Sequence, residues 1–356
     1  MTIPPRPPGP VAALRRIAYL LEYAGESSYR ASAFRRAADA VAELPPEGLR
    51  ARAEAGTLRE LPGLGGSTER VVLEALAGDV PAYLERLEGE HSAGPKRPGD
   101  ALFAALRGDC HVHSNWSDGG ASICDMAEAA IDLGHEYIVL TDHSPSLRVA
   151  RGLSPDRLRE QLEVVARLNE ELAPFRILTG IECDILAGGA LDQEDELLSR
   201  LDVVVGSVHS LLRMERGPMT KRMLAAIANP HLDVLGHCTG RMRTGRRERP
   251  ESEFDAAEVF AACAHYGKAV EINSLPERLD PPRRLMTQAL EAGCLFSLDS
   301  DAHAPGQLAW KIAGADRSAE VGVPPERIVT TWPADDLLAW ARSHEAAPAA
   351  APRGDS

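Results

Sequence analysis

Two stretches decide the fold: Gly108-Asp-Cys-His111-Val-His113-Ser114 and Cys294-Leu-Phe-Ser-Leu-Asp-Ser-Asp301-Ala-His303. Each reads as a short buried strand running into a polar end, and each ends in two metal-ligand residue types spaced i, i+2. On a β-strand that spacing points both side chains to one face. Between the two stretches, four more apolar runs end in a ligand type. Residues 137–142 lead to His143, 176–181 to Glu182, 202–208 to His209, and 232–236 to His237. With 268–273 the strand patterns number seven, and helical patterns fall between them near 122–133, 155–172, 195–201, 220–228, 254–266 and 283–292. Strand–helix alternation implies an α/β fold with parallel strands. Ligand types at the carboxyl ends of successive strands are what a barrel-borne metal site requires.

Composition bounds the function. The chain has 356 residues, a hydrophobic fraction of 44% and a formal net charge of −14. The charge argues against a broad basic nucleic-acid surface, although bound metal ions would add positive charge at the site itself. No apolar run approaches the roughly 20 residues that span a bilayer, so no membrane role is expected. The proline-rich start does not suit a signal peptide. Six cysteines without a Cys-x-x-Cys pair fit a reducing, cytoplasmic setting.

The chain reads as five parts. Residues 1–10 are expected to be disordered, and 11–88 to form a small all-α domain with helices over 11–24, 32–44, 47–55 and 68–77. A linker follows over 89–100, then the barrel over 101–343, then a disordered tail over 344–356. In the helical domain, Leu61-Pro62-Gly63-Leu64-Gly65-Gly66 is a tight-turn signal leading into a helix.

The barrel region resembles a PHP (polymerase and histidinol phosphatase) domain. The motifs stand in order: His111-x-His113, Asp118, Thr-Asp-His143, Gly-Ile-Glu182, Ser-Val-His209, Gly-His237 and Ser-Asp301-Ala-His303. The likeness is closest to the PHP domain of bacterial family X DNA polymerases, through Asp-His-Ser-Pro-Ser-Leu, Gly-Ile-Glu-Cys-Asp-Ile-Leu, Gly-His-Cys-Thr-Gly-Arg and Glu-Ile-Asn. Cys238 departs from it, standing where that group usually has proline. The resemblance implies a distorted (β/α)7 barrel with a trinuclear metal centre. It implies that His111, His113, Glu182 and Asp301 hold one metal. Glu182 would bridge to a second held also by His209 and His237, and Asp118, His143 and His303 would hold the third. Asp301, His303, His143 and Glu182 would then be central to catalysis. Imidazole donors favour Zn, Mn or Fe over Mg, so two to three divalent transition metals are expected.

Other residues are read from their surroundings. Asp142, beside His143, would orient a ligand or cap a turn. The loop after His237 carries Arg241, Arg243, Arg246 and Arg247, and Arg278 follows the 268–273 strand. Guanidinium groups beside a metal site suit phosphate oxygens, against the alternative of a solvated loop. Cys110, Cys183 and Cys238 alternate away from the ligands and read as packing thiols. The helical domain is similar to the amino-terminal domain of family X polymerases, with a helix-hairpin-helix signature at Gly63, Leu64, Gly65 and Gly66. That likeness implies backbone contact with a DNA phosphate. No polymerase palm lies between the two regions. The helix over 68–77 lacks the lysine that abasic-sugar lyases of this type use, so neither polymerisation nor lyase activity is expected.

The function expected is a metal-dependent phosphoesterase acting on DNA 3′ ends, as a 3′–5′ exonuclease or 3′-phosphatase in DNA repair. The rivals are a small-molecule phosphomonoesterase of the histidinol phosphatase type and a DNA-end binding scaffold with a weakly active barrel. The partner is DNA or a phosphorylated small molecule, with no obligate protein partner evident.

Overall fold

Proline at the first helical position leaves no N–H unsatisfied there, and left-handed glycine ends a helix cleanly. Both devices shape the amino-terminal unit of the computed structural model, which describes residues 7–91, 95–244 and 248–345. The chain divides into two units, Met1–Lys96 and Arg97–Ser356. The first holds α1 (Pro10–Tyr23), α2 (Ser28–Ala42), α3 (Pro46–Ala55), α4 (Gly66–Ala77) and α5 (Ala82–Glu90). Helix α1 thus begins at Pro10, inside the stretch expected to be disordered; residues 1–6 lie outside the described residues. Leu14, Ile17 and Leu21 meet Phe34, Val41, Leu58, Leu64, Val72 and Leu87 in one core. Glu22 and Arg35 lock α1 to α2 with two bonds of 2.7 and 2.6 Å. In the turn before α4, Gly63 has φ +81°, and a Cβ there would stand 3.0 Å from Cβ of Arg36, so only glycine fits.

The second unit is a six-stranded parallel sheet. Its strands are β1 (Tyr137–Leu140), β2 (Arg176–Asp184), β3 (Val203–Ser207), β4 (Val234–Leu235), β5 (Ala269–Asn273) and β6 (Leu295–Asp299), paired in sequence order. Around and between them run α6 (Asp100–Ala105), α7 (Ile123–Asp132), α8 (Pro155–Leu172), α9 (Asp195–Leu198), α10 (Arg216–Ile227), α11 (Ala256–Tyr266), α12 (Arg283–Glu291), α13 (Lys311–Val321) and α14 (Ala334–Glu345). Strand alternation sorts the side chains. Tyr137, Val139, Leu178, Val203, Val205, Val234 and Ala269 share one cluster, which Leu337 and Leu338 of α14 join. Ile138, Leu140 and Ile177 pack instead with Met126 and Ala130 of α7.

Two expectations need correction. The His111 stretch is not a seventh regular strand. Val112 alone bridges both sheet edges, to Leu140 and to Ala302. Side chains take over the ladder here: Cys110 N donates to Asp299 Oδ1 at 2.8 Å, and Val112 N donates to Thr141 Oγ1 at 2.9 Å. Nor is the barrel finished at residue 343. Helix α14 runs through Glu345, and buried His344 pairs through Nδ1 with Asp233 Oδ1 at 2.7 Å. The rest of the expected tail, 346–356, lies outside the described residues.

His135, after α7, is buried with its Nε2 3.1 Å from the Lys311 ammonium. Burial, and then the charge of Lys311, push its pKa down from 6.5 to about 2. An unfolded chain takes up this proton as pH falls through 6.5, whereas the folded chain does not until about 2. Native stability should therefore fall below pH 6.5, by about 1.4 kcal/mol per pH unit for this group alone. Denaturant unfolding between roughly pH 7.5 and 5 should show a steeper acid loss for wild type than for His135→Gln. Equal slopes would place the acid sensitivity elsewhere.

Candidate metal centre

Alternation that fills the barrel with apolar residues lower down delivers polar ones at its carboxyl end. Glu182 lies four residues beyond Leu178 on β2, and Glu271 and Asn273 follow Ala269 on β5, each at strand period. Glu182 is buried at the middle of the cluster. Its Oε2 lies 2.7 Å from His143 Nδ1, 3.4 Å from His111 Nε2 and 3.8 Å from His113 Nε2. Its Oε1 lies 2.9 Å from His237 Nε2 and 3.3 Å from His209 Nε2. Asp301 Oδ1 is 3.3 Å from His113 Nε2 and 3.9 Å from His111 Nε2. Asp118 Oδ1 stands 3.5 Å from His143 Nε2 and 3.4 Å from His303 Nε2. The nine side chains singled out in the sequence are thus brought together.

Within the cluster the donors fall into overlapping sets. Donor atoms converge as His113, Asp118, His143 and His303; as His111, His113 and Asp301; and as His143, Glu182 and His209. His113 and His143 are each shared by two groups, and His237 reaches the centre through Glu182. The strand argument for Asp301 and His303 fails. Strand β6 stops at Asp299, and Asp301 has φ +56°. The two converge through a turn in which His303 Nδ1 lies 2.9 Å from the Asp301 carbonyl.

The donor set fits metal ions. Among buried side-chain atoms without a hydrogen-bond partner are His111 Nε2, both nitrogens of His113 and of His209, His143 Nδ1, His237 Nδ1 and Glu182 Oε2. Lone pairs buried and unmet at this density are a cost that cations relieve. The titration pattern tells the same story. Burial and the neighbouring His303 and His143 pull His113 down to about 3. Burial and Arg278 do the same to His237, also to about 3. Burial lowers His209 too, but Glu182 and Asp184 carry it up to about 9. Burial opposes ionisation of Glu182, yet the surrounding imidazoles hold it well below the carboxylate range.

Sequence reading missed the residues that hold the ligands. Glu271 Oε1 accepts from His111 Nδ1 at 2.7 Å, and its other oxygen takes the N–H of His237. This turns His111 Nε2 toward Asp301 and Glu182. Asn273 Nδ2 donates to Asp301 Oδ2 at 3.0 Å, and Asp184 Oδ1 accepts from His209 N at 2.9 Å. A charged residue inside an otherwise apolar strand was the available signal. Asp142 is a brace: it accepts from Ser114 N at 2.8 Å, from Gln161 Nε2 at 2.7 Å and from the Ser117 hydroxyl, fixing the loop between His113 and Asp118. Cys110, Cys183 and Cys238 are buried in apolar clusters, and burial pushes their thiols well up.

The arginines separate. Arg278 enters the site, with Nε 3.3 Å from Asp301 Oδ2 and a buried Nη1 that has no hydrogen-bond partner. Arg241 does not; it donates to the carbonyls of Arg278 and Leu279 and so braces that loop. Arg243 borders an open cavity of about 900 Å³ that Arg216, Arg249 and Arg284 also line. Arg246 and Arg247 lie outside the described residues. In the helical unit, Leu64 is buried and packs inward rather than facing a ligand. Gly65 N donates to Thr68 Oγ1 at 2.8 Å, so Gly66 opens α4 with the N–H groups that a helix cannot satisfy internally.

A PHP domain model matches residues 109–275, and a helix-hairpin-helix domain model matches residues 7–79. A probable phosphatase of Thermoanaerobacter sp. (strain X514) is 30% identical over 208 residues, 55% of this chain and 78% of that protein. The chain belongs to the PHP family. The DNA polymerase/3'-5' exonuclease PolX of Bacillus subtilis is 40% identical over 198 residues, 56% of this chain. The match spans 34% of that polymerase's length. The histidinol phosphate phosphatase of Lactococcus lactis superposes with a TM-score of 0.48 at 21% identity, over 61% of this chain and 94% of that one. No helix among the described residues is long and apolar enough to cross a membrane.

Glu271 gives this PHP centre a test. Glu271→Gln should weaken zinc binding about 10–100-fold, the range typical of carboxylates behind a ligating histidine. Equilibrium dialysis with elemental analysis measures it, and an unchanged affinity would reduce Glu271 to a packing residue.

Proposed function

We propose that this PHP barrel is a metal-dependent phosphoesterase whose substrate is a DNA 3′ end, cleaved as a 3′–5′ exonuclease or 3′-phosphatase. The observation that carries the reading is one buried carboxylate, Glu182, within 3.8 Å of five imidazoles. Two to three Zn, Mn or Fe ions would be held by His111, His113, Asp118, His143, Glu182, His209, His237, Asp301 and His303. When bound, such ions supply the Lewis acid that activates water and neutralises phosphate. The chain's own residues do the rest. Glu182 and Asp301 bring anionic charge to the centre, while Glu271 fixes the ring of His111 and Asp184 holds the backbone N–H of His209. Arg278 offers an unpartnered N–H beside Asp301, where a phosphate oxygen would be met. Cys110, Cys183 and Cys238 supply no nucleophile, since burial holds their thiols protonated.

The choice of DNA rests on the helix-hairpin-helix unit carried by the same chain and on the 40% identity to an exonuclease-bearing polymerase. The second reading, a small-molecule phosphomonoesterase, is favoured by the probable phosphatase that this chain covers over 78% of its length. Lyase chemistry is not part of the proposal. Helix α4 contains no lysine, and its Val71 and Val72 are buried.

Two measurements test this. Mn-loaded chain assayed on single-stranded DNA, duplex DNA, 3′-phosphate ends and a chromogenic monoester should favour the DNA ends. Removing residues 1–96 should leave chromogenic turnover nearly intact and raise KM for oligonucleotides, because remote phosphate contacts are lost. Equal oligonucleotide kinetics with and without that unit would move the assignment to the small-molecule reading. Separately, Arg278→Lys keeps the charge but loses the planar fork. It should raise KM for phosphoesters by about tenfold, the effect of roughly one charge-assisted hydrogen bond, with metal content unchanged. An unaltered KM would remove Arg278 from substrate binding.

A further inference from the structure

Beneath the metal centre lies a buried ionic cluster that the phosphoesterase reading does not use. Lys311, the first residue of α13, is fully buried, in a chain whose 39 basic residues include only four lysines. Burying an ammonium is costly unless its donors are met. Here Nζ lies 2.9 Å from the carbonyl of Gly108, 3.2 Å from Asp109 Oδ2 and 3.1 Å from His135 Nε2. Three donors thus find three polar neighbours. The other oxygen of Asp109 is the informative one. Its Oδ1 accepts from the N–H of His111 at 3.2 Å and from the N–H of Ser300 at 3.3 Å. Those two amides belong to the two segments that carry His111 and His113 on one side and Asp301 and His303 on the other.

The segments meet at a seam with a single backbone bridge. No regular ladder joins them; Val112 bridges Ala302, and His113 N donates to the Ala302 carbonyl at 2.9 Å. A one-residue bridge specifies register poorly, because no further rungs penalise a slip. The Asp109 carboxylate supplies further rungs through Oδ1, and the Lys311 ammonium, 3.2 Å from Oδ2, fixes the direction in which that carboxylate points.

We propose that Lys311 is a positioning residue for metal binding. Through Asp109 it fixes the register in which His111, His113 and Asp301 converge. The inference rests on the reading that this cluster holds metal ions. The alternative is that Lys311 serves folding alone.

Zinc binding to the full-length chain, by equilibrium dialysis and elemental analysis, separates the two. Wild type binding no zinc would overturn the metal reading itself. Given wild-type binding, Lys311→Met should lose about one zinc per chain, or bind it at least about tenfold more weakly, while zinc at the His143, Glu182 and His209 group remains. A purely structural role would lower the melting temperature and leave zinc stoichiometry and affinity unchanged; that result in a folded Lys311→Met chain overturns the proposal. If Lys311→Met does not fold, the paired change Asp109→Asn with Lys311→Met decides, since it buries no unpaired charge. The neutral amide accepts more weakly than a carboxylate, so the same zinc deficit is expected. Wild-type zinc binding in the double variant, or failure of both variants to fold, would likewise overturn the proposal.

Discussion

The Glu182 carboxylate, ringed by His111, His113, His143, His209 and His237, sets the terms for the rest of the barrel. An isolated carboxylate cannot be buried at this depth without a large desolvation cost. The histidines around it cannot all carry protons together, because their rings stand close: His113 and His303 are 4.2 Å apart between centroids, and His113 and His143 are 4.4 Å apart. The result is a split. His209 is carried up to about 9 and His113 is held down to about 3, with several lone pairs left unmet. Such a cluster is poorly satisfied by protons alone and well matched to compact divalent charge.

That electrostatic load explains why the next layer is also polar. Glu271 and Asp184 each take a proton-bearing atom of a histidine, and Asn273 holds Asp301. Asp142 ties down the loop that separates His113 from Asp118 by bonding Ser114 and Ser117. His111, His237, His209 and Asp301 are therefore each held by a partner that is itself buried, which helps a site with shared histidines keep its geometry. The apolar lower barrel, from Tyr137 to Ala269, supplies the rigid floor against which these strand ends project.

Most of the candidate ligands were legible in the sequence because they close apolar runs, whereas Asp118, on a polar loop after Ser114-Asn115-Trp116-Ser117, was marked only by the family resemblance. The seven-strand count was less legible. At Cys110 and Val112 the backbone amides bond to Asp299 and Thr141 side chains, so a stretch that reads as a strand forms only one bridge on each side. The turn at Asp301 was hidden for a related reason. An i, i+2 pair after an apolar run reads the same whether the chain stays extended or passes through φ +56°. Helices α13 and α14 carry buried charged residues, Lys311, Arg317 and His344, which blur the amphipathic pattern that periodicity relies on. Glu271 and Asn273 stood in plain view on β5; their alternation with Ala269 marks them as inward-facing once the strand is placed. Arg241 shows the opposite error. Proximity in sequence to His237 suggested a phosphate donor, and only the carbonyls of Arg278 and Leu279 reveal that its donors are spent.

Exposure is uneven across the centre, and this bears on how a substrate enters. The side chains of His111, His113 and Glu182 are fully buried, whereas Asp118 and His303 are 38% and 29% exposed. Arg278, at 15%, borders Asp301 from the loop after β5. Solvent therefore reaches the group of His113, Asp118, His143 and His303 most openly, and the groups built on Glu182 and Asp301 far less, at His209 and Arg278. A phosphate entering by that route meets the outer group before the inner ones, with the Arg278 guanidinium at Asp301. The buried groups are shielded from bulk water, where their charge interactions act at low dielectric and with full effect. The exposed group bears the contact with solvent and ligand exchange. The division follows from which ligands close strands inside the barrel and which, like Asp118 and His303, stand on loops beyond the strand ends.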